Sequence, residues 1–187
     1  MKQFFISLLC LLLFAAWPVE AKEKTKKKED QSAVGIPSAT LSGLKWRSIG
    51  PAMTSGRIAD FAVNPNDHSQ WYVAVASGNL WKTNNNGTTF KAIFDSYGTY
   101  STSVITMDPN NPNLLWLGTG ENNHQRALAY GDGVYKSEDG GASWKNMGLK
   151  ESRHIGGIVV DPRNSNVVFV AAEGSAWGPG GERGLYK

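Results

Sequence analysis

The sequence contains almost no cysteine: Cys10 is the single one in 187 residues. Cys10 lies in an N-terminal segment that we predict to be cleaved, as described below. The remaining chain then has no disulfide framework and no thiolate metal site. We therefore expect its stability to come from buried surface and hydrogen bonds.

Long apolar runs are also missing. The one apolar run, from Phe4 to Trp17, is shorter than the about 20 residues that a membrane-spanning helix needs. Lys2 precedes this run and Val19-Glu20-Ala21 follows it, which is the arrangement of a cleavable export signal. We predict a signal peptide at residues 1–21, no transmembrane segment after cleavage, and a secreted or periplasmic location at the cell-envelope exterior. An uncleaved anchor is the alternative.

The chain has little excess charge of either sign. Its net charge is +3, and the segment KEKTKKKED at residues 22–30 supplies most of it, leaving +1 for residues 31–187. This balance argues against nucleic acid as a partner. Residues 22–40 offer little to bury and are predicted to form a charged flexible linker. The alternative for this segment is an electrostatic contact with an acidic surface.

The apolar residues do not recur with the 3.6-residue period of an α-helix. The sequence contains an internal repeat instead. Three passages align, and equivalent positions in them lie 44 to 54 residues apart, a spacing typical of propeller blades. The aligned prolines are Pro65, Pro109 and Pro162, and the aligned aromatic residues are Trp81, Tyr135 and Tyr186.

Each passage contains short β-branched or aromatic runs bounded by turn-forming residues. The runs are Ile58–Val63, Trp71–Ala76, Val104–Met107, Leu114–Leu117, Ile158–Val160 and Val167–Ala172. We predict an all-β fold: a β-propeller of four-stranded antiparallel blades, with about three blades in residues 41–187.

The stretch KSEDGGASW, residues 136–144, is predicted to be a turn and not an active site. Asp139 is spaced to accept hydrogen bonds from the backbone of its own turn, and Gly140 and Gly141 permit the positive φ of a tight hairpin. Ser137 is placed to close the turn, and Trp144 to pack back over it. Its polar groups are therefore expected to be used locally.

The pattern S/T-x-D-x-G-x-S/T-W of this turn resembles the Asp box, the bacterial neuraminidase (BNR) repeat. The match is full at Ser137, Asp139, Gly141 and Trp144, and degenerate at Thr83, Asn85, Gly87 and Phe90. Longer phrases across residues 44–187 resemble secreted bacterial propellers of the sortilin N-terminal-like and glycosyl-hydrolase-like type, which include xyloglucanases and sialidases. The resemblance implies that these eight residues are structural.

The resemblance and the repeat count also bear on completeness. The third passage reaches GLYK at residues 184–187 without a box of its own, and about three blades do not close a propeller. We expect an N-terminal piece of a longer protein. Lys45–Ile49 is the segment expected to complete the last blade of a closed ring.

The blade topology separates two ends. The Asn-Pro turns and the box turns belong to one end, the lower face. The loops that follow the second and fourth strands of each blade belong to the other, the upper face. Carboxylates, amides, imidazoles and guanidiniums beside tryptophan suit a glycan or a protein segment. The candidate ligand-binding residues are Arg57, Glu121, Asn122, His124, Arg126, Asp132, Arg153, His154, Glu173, Trp177 and Arg183.

The sequence assigns no catalytic residue, no metal and no cofactor. Xyloglucanase-type relatives carry an Asp at the end of the second strand of the first blade, whereas residues 75–79 contain no carboxylate. Arg57-Ile58-Ala59 lacks the proline of the sialidase Arg-Ile-Pro phrase. We therefore predict a secreted binding module for a glycan or protein segment. The alternatives are a glycoside hydrolase with part of its active site in other blades, and a structural or assembly scaffold.

Overall fold

A computed structural model of the chain describes residues 38–44, 56–123 and 128–187. The chain divides into two units, Met1–Ser48 and Ile49–Lys187. The described part of the first unit is a 3-10 helix at Ser38–Leu41 and the turn after it, where Leu44 N donates to the Leu41 carbonyl over 2.9 Å. The predicted signal peptide, most of the predicted linker and Lys45–Ile49 lie outside the described residues.

The second unit is built from three antiparallel sheets that follow one another along the chain. Strands adjacent in sequence are hydrogen-bonded neighbours within each sheet. This confirms the predicted all-β fold and its strand order. Sheet 1 contains β1 (Arg57–Val63), β2 (Trp71–Ala76), β3 (Asn79–Thr83) and β4 (Lys91–Ala92); sheet 2 contains β5 (Thr102–Met107), β6 (Leu115–Thr119), β7 (Val134–Ser137) and β8 (Lys145–Gly148); sheet 3 contains β9 (Ile155–Asp161), β10 (Asn164–Ala172) and β11 (Gly184–Tyr186).

Some strands are longer than their apolar runs. β9 begins at Ile155, three residues before the predicted start, because the backbone around Gly156 and Gly157 still pairs with β10. Glycine has no side chain to indicate a strand, so the pairing partner decides this boundary. No α-helix occurs among the described residues; the connection before β9 is a short 3-10 turn, Lys150–Ser152.

The first and second strands of each sheet are joined by the same Asn/Asp-Pro turn. In every copy the side-chain oxygen of the first turn residue accepts a backbone N–H from two residues later, over 2.7 to 2.9 Å. Such an Asx turn needs only a short side chain and a proline-compatible backbone, which is why the sequence predicts it. The pairs are Asn64 with Asn66, Asp108 with Asn110, and Asp161 with Arg163.

Two apolar cores lie between the sheets. Tyr72, Leu80, Phe94 and Leu117 are fully buried between sheets 1 and 2, where Trp144 meets Phe94 edge-on at 5.8 Å. A second core between sheets 2 and 3 contains Val134, Ile155, Ile158, Val170 and Ala172. The sheets therefore stack face to face as consecutive layers.

The first strands of the three sheets, β1, β5 and β9, are linked by side chains. Ile105 N donates to Asp60 Oδ2 over 3.0 Å, and Ser103 Oγ donates to the Ile155 carbonyl over 2.6 Å. Thr106 Oγ1 donates to the carbonyl of Ile158 over 2.9 Å. These short polar side chains let the innermost strands approach closely, as at the centre of a propeller.

Candidate functional site

The loops predicted to share the upper face do meet in the structure. Backbone hydrogen bonds of 2.8 to 3.0 Å join the loops after the second strands of sheets 2 and 3 to the segments that lead into sheets 2 and 3. They run from Gly120 N to the Ser101 carbonyl, from Gly131 N to the Arg153 carbonyl, and from Glu173 N to the His154 carbonyl. These bonds bring the backbones of three predicted site residues, Arg153, His154 and Glu173, to the same end of the sheets.

An ion pair between Arg57 and Glu121 spans sheets 1 and 2 at this face. Arg57 begins β1, and Glu121 follows β6, so only the stacking of the sheets brings them together. The Glu121 side chain is fully buried, whereas 44% of the Arg57 side chain is exposed. A buried carboxylate needs such a partner, because an unpaired buried charge lowers the free energy of unfolding by roughly several kcal/mol.

Arg153 occupies a strained backbone position at the same face. His154 N donates to the Ser152 carbonyl over 2.6 Å, which closes a three-residue turn around Arg153 with φ 60° and ψ −38°. This conformation belongs to the rare γ-turn that strains a residue with a side chain. The neighbouring sheet holds the turn, because the Arg153 carbonyl accepts Gly131 N over 2.8 Å.

The Arg153 side chain lies over an aromatic ring. Its guanidinium carbon is 5.0 Å from the ring centre of Tyr130, and the Tyr130 ring is 5.4 Å from that of His154. Tyr130 is 47% exposed, whereas His154 is fully buried. The exposed ring and the cation above it therefore present a mixed aromatic and cationic surface to solvent.

Ser175 gathers the remaining groups from sheet 3. Its hydroxyl accepts from Arg153 Nη1 over 3.4 Å and from Trp177 N over 3.3 Å, and its carbonyl accepts from Arg183 Nη2 over 2.7 Å. Ser175 is buried, and the Trp177 side chain is 66% exposed. Ser175 thus contacts both arginine side chains and the backbone of Trp177, whose side chain is exposed.

Asp132 is held by its own sheet. Its Oδ2 accepts the Tyr135 hydroxyl over 2.6 Å, and its backbone N donates to Thr119 Oγ1 over 3.0 Å. Burial, and then this hydrogen bond, raise the pKa of Tyr135, so the phenol stays a donor to the carboxylate. Asp132 thus anchors the long loop of sheet 2.

The predicted site residues therefore fall into distinct environments. Arg57 and Glu121 form a buried pair, Arg153, Trp177 and Arg183 meet at Ser175, and Asp132 is bound within sheet 2. Asn122 and Glu173 are half-buried in the loops after β6 and β10. His124 and Arg126 lie outside the described residues.

Two contributors were not singled out from the sequence, Tyr130 and Ser175. Tyr130 is an aromatic residue in the long loop of sheet 2, and its position in the sequence does not indicate that its ring contacts Arg153 and His154. Ser175 lies between Gly174 and Ala176, and these neighbours do not indicate that the serine accepts hydrogen bonds from two arginines. Both roles depend on contacts between residues that lie 8 to 24 positions apart in the chain.

The turn at residues 137–144 uses its polar groups as expected. Asp139 accepts from Ser143 N over 2.8 Å and from Ser143 Oγ over 2.6 Å, and Ser137 Oγ donates to Asp139 over 2.8 Å and accepts from Gly141 N over 2.9 Å. Gly140 and Gly141 have φ of 67° and 87°. The Ser143 hydrogen bonds lower the pKa of Asp139 to about 2.

The turn at residues 83–90 has the same hydrogen bonds with different residues. Asn85 Oδ1 accepts from Thr89 N over 2.9 Å and from Thr83 Oγ1 over 3.0 Å, while Thr83 Oγ1 accepts from Gly87 N over 3.0 Å. Asn86, with φ of 58°, takes the left-handed position of a glycine. Phe90 meets Trp71 edge-on at 5.3 Å, at the position where the other turn has its tryptophan.

The described residues contain no group of three His, Cys, Asp or Glu side chains arranged to hold a metal ion. In the same part of the chain, no helix has the length and apolar character to cross a membrane.

Comparisons with solved structures place this arrangement in a known fold. An ancestral GH74 enzyme matches with a TM-score of 0.50 and 23% identity over 62% of this chain. The GH74 enzyme of Niastella koreensis matches with a TM-score of 0.52 and 24% identity over 67% of this chain. These GH74 neighbours are β-propellers, and the three stacked sheets are consecutive blades of that fold.

The match covers only part of those enzymes. It spans 16% of the ancestral enzyme and 19% of the N. koreensis enzyme. No protein-family model and no curated protein matches the chain. The comparisons therefore establish the propeller fold of this chain and not its activity.

Proposed function

We propose that this chain supplies glycan-binding surface to a secreted β-propeller of the glycoside hydrolase type. The observation that carries the proposal is the structural likeness to two GH74 enzymes. The resemblance of residues 137–144 to an Asp box, and of longer phrases to sortilin N-terminal-like and glycosyl-hydrolase-like propellers, supports the same class. The N-terminal pattern at residues 1–21 supports export.

The upper face has suitable chemistry for a sugar. Trp177 offers an exposed indole face for stacking of a pyranose ring, and Tyr130, whose ring lies against the Arg153 guanidinium, offers a second exposed ring. Arg153 and Arg183 form no salt bridge with a carboxylate in the described part of the chain. Their remaining N–H groups are available to hydroxyl or carboxylate oxygens of a glycan.

Two carboxylates of the upper face, Glu121 and Asp132, are better suited to support than to catalysis. Glycoside hydrolysis uses two carboxyl groups that flank the bond, about 5 to 9.5 Å apart. Glu121 is fully buried and paired with Arg57, and Asp132 is held by Tyr135. We therefore propose that this chain positions the glycan, and that the catalytic pair includes residues outside it.

Binding can be tested with soluble polysaccharides. Affinity electrophoresis in gels containing xyloglucan, mixed-linkage glucan or a sialylated glycan measures retardation of the chain. Trp177→Ala is expected to weaken retention about tenfold, because stacking on an aromatic ring contributes on the order of 1 kcal/mol or more. Phe90→Ala is the matched control, since Phe90 is also an exposed aromatic residue but lies in the lower-face turn.

The same samples distinguish binding from cleavage. Retention without new reducing ends, lost in Trp177→Ala and kept in Phe90→Ala, supports the proposal. Failure to bind any of the glycans, or equal losses in both variants, would count against the glycan site. Release of reducing ends by this chain alone would overturn the division between positioning and catalysis.

A further inference from the structure

Two arginine side chains converge on one residue at the upper face. Arg153 Nη1 donates to the Ser175 hydroxyl over 3.4 Å, and Arg183 Nη2 donates to the Ser175 carbonyl over 2.7 Å. Both arginines are exposed. Arg153 precedes β9 and Arg183 precedes β11, the two edge strands of sheet 3, so the fold brings the two positive charges together from opposite edges of one sheet.

The backbone and an aromatic ring fix the position of Arg153. Its γ-turn conformation, with φ 60° and ψ −38°, is strained, and such strain is concentrated in proteins at functional sites. The guanidinium lies against the Tyr130 ring, with its carbon 5.0 Å from the ring centre. The guanidinium is therefore held in place before any ligand arrives, which lowers the entropy that binding would cost.

A glycine fixes the position of Arg183. The Arg183 side chain lies across Gly174, whose φ is 72°, and a Cβ atom at Gly174 would be 2.9 Å from Arg183 Nε. The backbone N of Arg183 donates to the Gly181 carbonyl over 3.0 Å. The loop thus leaves room for this side chain at a position where any larger residue than glycine would displace it.

Neither arginine is neutralised by the protein. Among the described residues, no carboxylate lies within ion-pair distance of Arg153 or Arg183. Glu182, the neighbour of Arg183, accepts the backbone N of Glu151 over 2.9 Å. Two like charges held at one serine repel each other, and an anion that contacts both removes this repulsion. The contacts with Ser175 use only part of the N–H groups of each guanidinium.

We infer that Arg153 and Arg183 bind the carboxylate of a hexuronic acid in the glycan, an inference that rests on the glycan binding proposed above. The planar N–H fork of a guanidinium matches a carboxylate through two parallel hydrogen bonds. Glucuronic and galacturonic acid carry this carboxylate equatorially, so it extends from the edge of a ring that stacks on an aromatic side chain. Trp177, exposed and in the same loop as Ser175, supplies such a side chain.

Matched polysaccharides test the charge of the ligand without changing its sugar backbone. The full chain is run by affinity electrophoresis in gels containing polygalacturonate, its methyl ester or xyloglucan, and retardation is measured against a gel without polysaccharide. The free acid is expected to bind at least about tenfold more tightly than the ester, because hydrogen bonds between ionised partners are the stronger ones.

Substitutions at the two arginines separate this contact from general attraction. Arg153→Gln and Arg183→Gln are each expected to weaken binding of polygalacturonate about tenfold and binding of the ester less than about twofold. Arg153→Lys keeps the charge but loses the planar fork, so an intermediate loss is expected. Arg163→Gln is the matched control, because it removes an exposed arginine from the lower face.

The outcomes distinguish this inference from the proposed function. A preference for the free acid that is lost in Arg153→Gln and Arg183→Gln, and kept in Arg163→Gln, supports the inference. Binding of xyloglucan or the ester without a preference for the free acid overturns the inference and leaves glycan binding intact. Binding of none of the three polysaccharides counts against both. Equal losses in all three glutamine variants, each shown to be folded by its urea midpoint, also overturn the inference.

Discussion

The lower and upper faces use polar side chains in opposite ways. At the lower face, Asp139 bonds to Ser137 and Ser143, all within seven residues. At the upper face, Arg57 reaches Glu121, 64 positions away in another sheet. The bonds of Asp139 therefore close a turn within one blade, whereas the pair of Arg57 and Glu121 joins two blades.

The largest effect is expected from adding one methyl group at Gly120. Gly120 has φ of 82°, and a Cβ atom there would overlap the Arg153 carbonyl. Because the obstacle is backbone of the next blade, Gly120→Ala is expected to lower the free energy of unfolding by about 3 kcal/mol or more. Urea denaturation followed by tryptophan fluorescence measures the loss.

Gly141→Ala is the lower-face counterpart. Gly141 has φ of 87°, but the first atom that its Cβ would meet is the end of the Ile93 side chain, at 2.7 Å. The expected loss is about 1 to 2 kcal/mol, mainly from the backbone conformation. A loss at Gly141 equal to that at Gly120 would mean that the lower face is as tightly coupled between blades as the upper face.

The next effect concerns the ion pair that joins two blades. Arg57→Met leaves the carboxylate of Glu121 buried without its partner, and is expected to cost about 2 to 3 kcal/mol, less than for a fully buried pair because Arg57 is partly exposed. Adding Glu121→Gln is expected to recover part of this loss. Urea midpoints of the single and double variants measure both effects.

Arg163→Met serves as the matched control. Arg163 also pairs with a carboxylate, Asp161, over 2.8 Å, but its side chain is 87% exposed and the pair lies within one turn. Its removal is expected to change the urea midpoint little. If Arg57→Met were equally mild, the ion pair between the blades would not contribute to holding them together.

The smallest effect is a change in pH dependence at the lower face. The folded-state pKa of Asp139 is lowered to about 2 by its hydrogen bonds to Ser143, below the usual value near 3.9 for an unfolded chain. Its contribution to stability is therefore complete above about pH 4 and is lost as the pH falls toward 2. Because Asp139 is exposed, we expect a small contribution.

Exchanging the acceptors of the two turns tests this assignment. Asp139→Asn is expected to reduce the change of the urea midpoint between pH 4 and pH 2. The pH dependence due to Asp161, whose pKa is also about 2, is expected to remain. Asn85→Asp is expected to add a similar dependence, because Thr89 presents the same N–H and hydroxyl. No change in either profile would show that the carboxylate and the amide are equivalent in these turns.

The parts that the sequence predicts are those with short-range causes. The strand order, the Asx turns and the hydrogen bonds of Asp139 involve residues near one another in the chain, and all are present. The grouping of loops at one face also follows from strand alternation alone. Strand ends were predicted less well, as at Ile155, because the partner strand extends the pairing through glycines.

The candidate site depends on longer-range contacts. Arg57 and Glu121 were both candidates for ligand binding, yet the structure pairs them and buries the carboxylate. Ser175 and Tyr130, which hold Arg153, were not singled out. The difference arises because a sequence indicates which groups share a face but not which of them neutralise each other.

A repeat of short apolar runs bounded by turn-forming residues is enough to specify blades. Each turn closes with its own side chains, and each strand pairs with its neighbour in the sequence. The strain at Arg153 and the burial of Glu121 follow from how one blade lies on the next. Those contacts join residues far apart in the chain, and only the packed sheets bring them within bonding distance.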